Sequence, residues 1–182
     1  MKVLKKALKW LLLLPVAVYP YLYFVIVLDP PEGALRWLYD VLEWLFHVLN
    51  LNLWTFIGFT WLVGLTCALL TFLLRDHWTA RELALANMLI KLIHIPSYVV
   101  WFIVGVALVI FMGPVWAFIM DAMTIVLSGL VGLIAAFCCK KEGSLTGQQT
   151  VLYGILQFIF VVDVISAIVL YCKAKKSKEV SP

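Results

Sequence analysis

A chain of 182 residues that is 65% hydrophobic and 13% charged carries more apolar side chain than its own interior can cover. Soluble domains average roughly 45–50% apolar and about 25% charged, and a domain this short leaves much of its surface outside. Composition excludes a soluble globular fold, and the modest net charge of +4, without a basic patch of exposed aromatics, excludes a nucleic-acid partner.

Lipid is the expected solvent. The chain opens with Lys2, Lys5, Lys6 and Lys9, followed by a charge-free run over 10–28 that is long enough to cross a hydrocarbon core. The arrangement is similar to a signal peptide. The run contains Pro15 and Pro20, however, and reaches Asp29 without a small-x-small cleavage site, so an uncleaved first span is expected. Asp29-Pro30-Pro31-Glu32 then carries helix-start chemistry, with Asp at the N-cap, Pro at the first helical position and Glu three residues beyond the cap. Over 34–50 the polar residues Arg36, Asp40, Glu43, His47 and Asn50 form one stripe, and leucines with Trp37 fill the rest. This segment is too charged to span cheaply. It is expected to lie in the interface with its apolar face down, as a connector between spans.

A second span is expected over 53–74, where Gly58, Gly64 and Ala68 offer a close-packing or dimer face. Beyond Arg75 and Arg81 comes an apolar stretch that is too long for one crossing and sufficient for two. Gly113-Pro114 is its best turn, since proline cannot continue the backbone ladder. That division gives spans over 87–112 and 115–139. A last span is expected over 150–172, interrupted by Asp163. The fold class is therefore all-α, a single polytopic domain over 1–182 with five spans and one interfacial amphipathic helix.

Ionisable groups within such spans are costly and mark candidate sites. Asn87, Lys91, His94 and Tyr98 recur on one helical face, with Pro96 beside them. Lys91 can also snorkel towards the interface along its stem, and His94 can serve simply to satisfy a nearby carbonyl. Asp121 heads a second stripe with Thr124, Ser128, Gly132 and Ala136, whose small members suit helix packing and whose Thr124 could donate to the acid. Asp163 lies about thirteen residues, or roughly 20 Å, into the last span, with Ser166 one turn on. Gln157 falls on another face of a continuous helix. Lys91 is the candidate ion partner of Asp163, and one lysine facing two acids leaves a carboxyl neutral or hydrogen-bonded.

Placing the first lysines in the cytoplasm puts Arg75, Arg81, Lys91, Lys140 and Lys141 there also. With five spans, the lysine tail from Lys173 to Lys178 then emerges outside, against the charge rule. Cys67, Cys138, Cys139 and Cys172 lack zinc spacing and are expected as apolar packing residues. None has a histidine near it in sequence, as thiol catalysis would require. No cofactor and no enzymatic activity are expected. The expected partners are the bilayer and a membrane protein or second copy. The alternative is a small proton- or ion-coupled transporter or channel using Lys91, Asp121 and Asp163.

Residues 87–98, Asn-Met-Leu-Ile-Lys-Leu-Ile-His-Ile-Pro-Ser-Tyr, and residues 153–160, Tyr-Gly-Ile-Leu-Gln-Phe-Ile-Phe, continue to Asp163, Ser166 and Ala167 in the second case. Together they resemble an uncharacterised family of small multi-pass membrane proteins from Gram-positive anaerobic bacteria. The resemblance implies a bacterial plasma membrane and supplies no activity.

Overall fold

Three capping boxes set the starts of the best-defined helices. In a computed structural model that describes residues 2–27, 36–48 and 52–180, Asn52 and Thr55, Thr79 and Glu82, and Thr146 and Gln149 each exchange side-chain and backbone hydrogen bonds. Each box satisfies two donors that a helix N-terminus otherwise leaves unpaired. The helices are α1 (Lys2–Val27), α2 (Arg36–Val48), α3 (Leu53–Leu73), α4 (Ala80–Ala107), α5 (Gly113–Lys141), α6 (Gly147–Leu156) and α7 (Val162–Val180). The helix-start signature at Asp29–Glu32 lies outside the described residues, whereas α2 forms within the expected 34–50 segment.

Among the described residues three helices are long and apolar enough to cross a membrane, α3, α4 and α5, rather than the five expected. The described apolar part of α1 is shorter, Ala7–Leu22. The expected last span is not one helix at all. It breaks after Leu156 and resumes at Val162, with Val161 in the left-handed region at φ 68°.

The two halves fold back on each other. Residues 153 and 173 would stand about 30 Å apart along a continuous helix. Instead, the Lys173 ammonium lies 5.1 Å from the Tyr153 ring centre, and Gln157 Nε2 donates to Ser166 Oγ at 2.7 Å. Thus α6 and α7 form a hairpin with its tip at 157–161. The tip rests against Gly129 and Gly132 of α5, where an added Cβ would stand 2.7 Å from the Phe158 ring and 2.3 Å from Gln157 Oε1. Gly129 is twelve residues from the end of α5 at Lys141, or about 18 Å by helical rise.

The hairpin returns α7 to the end of the bundle at which α5 finishes. That end also holds the start of α1 and the α3–α4 connection. Lys9 pairs with Glu82 at 3.3 Å, Lys141 with Asp76 at 2.6 Å, and the Ala80 N–H donates to Glu142 Oε1 at 2.7 Å. The Lys141 ammonium beside Asp76 holds that exposed carboxyl below the usual carboxylate range. Its small, salt-screened contribution is present at neutral pH and is lost as pH falls through the lowered value.

At the opposite end, the turn between α4 and α5 comes earlier than expected. It occupies Leu108–Met112, with Met112 left-handed at φ 62°, and Pro114 sits in the first turn of α5 rather than in the bend. The reason is that proline lacks only an N–H that a first helical turn does not use. Gly113 is needed for space, since a Cβ there would meet the Leu108 carbonyl oxygen at 2.6 Å.

Candidate functional site

The polar stripe of α4 faces the hairpin tip and the proline-containing middle of α1. Asn87, Lys91, His94, Asp163, Ser166 and Gln157 are all buried, with Lys91 and Asp163 at 0% exposure. Lys91 Nζ lies 2.6 Å from Asp163 Oδ2 and donates to the Gln157 carbonyl at 3.0 Å. The break in the helix supplies both partners. Gln157 is the C-cap of α6, so its carbonyl is released from helical pairing, and Asp163 lies in the first turn of α7. The ammonium therefore meets the negative end of one helix dipole and the carboxylate the positive end of the other. Asp163 Oδ1 also accepts from the Val164 N–H at 2.9 Å.

Gln157 is the residue that sequence reasoning missed. On a continuous helix it points away from Asp163 and Ser166. In the hairpin it joins Asn87 Nδ2 at 3.1 Å and Ser166 Oγ at 2.7 Å, linking α4 to both arms.

His94 serves a different break. Its Nε2 lies 3.2 Å from the carbonyls of Val16 and Ala17 in α1. A carbonyl only accepts, so Nε2 carries the proton. The Val16 carbonyl would normally accept from residue 20, but Pro20 has no N–H. His94 thus replaces a helical bond that proline removed. Tyr21 returns a bond in the other direction, donating to the Ile93 carbonyl beside Pro96. His94→Leu is expected to destabilise the protein by about 1–3 kcal/mol by stranding that acceptor. In a Pro20→Ala background, where residue 20 regains its N–H, the loss should shrink. Equal losses in both backgrounds, measured by unfolding in micelles, would show that His94 does not act through this carbonyl.

The remaining candidates stand apart from the ion pair. Tyr98 packs edge-on to His94 and Phe160, at ring separations of 6.2 and 5.3 Å. Thr124 donates to the Met120 carbonyl at 2.9 Å instead of to Asp121, and Ser128 donates likewise to Thr124 at 3.0 Å. Hydroxyls in a helix readily bond back one turn, which is why the expected Thr124–Asp121 pair does not form. Asp121 is half-buried and borders a groove of about 690 Å³ between α4, α5 and the hairpin tip. Cys138 and Cys139 are packed in the interior, whereas Cys172 is exposed.

Fold and site define a small all-helical protein, apolar enough to cross a membrane through at least α3, α4 and α5, with a charge pair sealed under a helical hairpin. The chain belongs to the Family of unknown function (DUF6652), matched over residues 9–176. That description gives neither an activity nor a host. No curated protein and no solved structure matches the chain.

Proposed function

We propose that this is a non-enzymatic integral membrane protein of a bacterial plasma membrane, with a cytoplasmic N-terminus, that holds anionic lipid head groups at its basic end. The observation that carries this reading is the return of α7. Among the basic residues, Lys91 is interior and Arg36 belongs to α2. The others fall on segments that the hairpin and the Lys9–Glu82 and Lys141–Asp76 contacts bring to one end. A single basic face obeys the rule that lysines and arginines stay cytoplasmic and attracts anionic head groups within a Debye length. In this reading α2 rests on the opposite surface, apolar side down.

The test is lipid retention. Protein purified from a membrane containing phosphatidylglycerol should retain that lipid over a neutral one. Lys173→Gln, Lys175→Gln and Lys176→Gln together should reduce the preference, and a reporter fused after Pro182 should read cytoplasmic. Unchanged retention in the triple variant, or an external reporter, defeats the proposal.

A second reading, a proton- or ion-coupled pathway, is favoured by one feature. Interrupted helices whose ends face charged groups near mid-membrane are a recurrent transporter device. Proteoliposomes loaded with a pH-sensitive dye discriminate the two, since only a pathway predicts a flux that Asp163→Asn abolishes.

A further inference from the structure

Ionic pairing in the interior leaves one acid over. Lys91 is committed to Asp163 at 2.6 Å, and His94 is turned towards α1. Asp121 Oδ1 is buried with no hydrogen-bond partner among the described residues. Among the described residues it is the one ionisable side chain in the lining of the 690 Å³ groove. The rest of that lining is hydrocarbon and aromatic, including Phe102, Val106 and Phe118 on one side and Phe158 and Phe160 of the hairpin tip on the other. A volume of this size lies within the ordinary range for small-molecule sites, which combine apolar walls with a few placed polar groups.

The groove opens where apolar side chains stand outermost, with Phe102 67% and Phe118 73% exposed. An entering molecule would therefore arrive through the hydrocarbon phase. A plain acyl chain would fill the walls but leave the carboxyl without a partner, and an anionic amphiphile would bring it no counter-charge. We propose that the groove binds a lipophilic amine, a hydrocarbon body with one ammonium head that donates to Asp121. Charge complementarity selects this occupant. A cationic donor lets the Asp121 carboxyl ionise against a counter-charge, and so gains both a charge-assisted hydrogen bond and apolar burial.

The probe is radiolabelled dodecylammonium, with the protein held in nanodiscs of constant lipid composition. Saturable binding is expected, displaced by unlabelled dodecylammonium and not by dodecanol. Asp121→Asn keeps the shape but removes the charge, and should weaken binding about ten-fold or more, the scale of a lost hydrogen bond to a charged group. Val106→Trp, at an exposed position in the groove wall, should block binding while leaving Asp121 in place. It decides the matter should Asp121→Asn fail to fold. Absence of saturable binding, equal competition by dodecanol, or wild-type binding by both variants overturns the proposal. Equal competition would mark the groove as an acyl-chain site. None of these outcomes depends on lipid retention at the basic end.

Discussion

Asp163→Ala is expected to destabilise the protein by about 3–5 kcal/mol, the usual loss when one partner of a buried ion pair is removed. The loss comes less from the missing attraction than from the ammonium left behind. The Lys91 side chain is 0% exposed and, among the described residues, would keep only the Gln157 carbonyl as a partner. Lys91→Met should be damaging for the converse reason, since it strands the Asp163 carboxylate in the same enclosure. The double replacement Lys91→Met with Asp163→Leu removes both charges and should recover most of the stability, because a buried pair replaced by apolar residues is often neutral or better. Unfolding titrations in micelles, arranged as a double-mutant cycle, measure this directly. Additive losses would mean that the two residues do not act as a pair. The cycle also bears on function: a purely structural latch tolerates the apolar pair, whereas a conducting site does not.

The legible parts of this architecture were those governed by local chemistry. The spacing of Asn87, Lys91 and His94 on one face follows from helical geometry alone, and the depth of Asp163 in the last apolar run made Lys91 its candidate ion partner, provided that their helices touch. The starts of α4 and α6 were equally available. Thr79 with Glu82 and Thr146 with Gln149 are capping-box spacings that place those starts at Ala80 and Gly147, several residues ahead of the expected 87 and 150. The hairpin was not legible, because nothing between Gln157 and Val162 is glycine or proline. The left-handed backbone falls on Val161, a β-branched residue for which it is strained by about 1–3 kcal/mol. Such a conformation persists when tertiary contacts impose it, here the Lys91 ammonium on the freed Gln157 carbonyl and the glycine seats on α5. One indirect sign was present. A lysine tail forced outside by a fifth crossing conflicted with the charge rule, and the proposed topology, in which the hairpin enters and returns on one side, is free of that conflict.

Gly132→Leu tests whether those seats hold the tip in place. A Cβ at 132 would lie 2.3 Å from Gln157 Oε1 and 2.6 Å from its Cγ, so no small adjustment admits a larger side chain. Overpacking alone costs about 1–3 kcal/mol. Displacing Gln157 would further strand the Asn87 amide and the Ser166 hydroxyl, which bond to it, at about 1–3 kcal/mol for each buried group left unpaired. The expected total is at least about 3 kcal/mol, with faster hydrogen exchange over 157–166. Gly58→Leu is the control, since a Cβ there meets nothing within 4 Å and the new side chain should be accommodated without loss. Combining Gly132→Leu with Gln157→Ala vacates the volume in dispute and should recover the overpacking component while leaving Asn87 and Ser166 short of a partner. The rescue should therefore be partial. A full rescue would make Gln157 a spacer rather than a hydrogen-bonding hub, and equal effects at 58 and 132 would mean that the tip is not seated on α5. Seating matters beyond stability, because the same five residues of the tip supply the carbonyl that binds Lys91 and the aromatic wall beside Asp121.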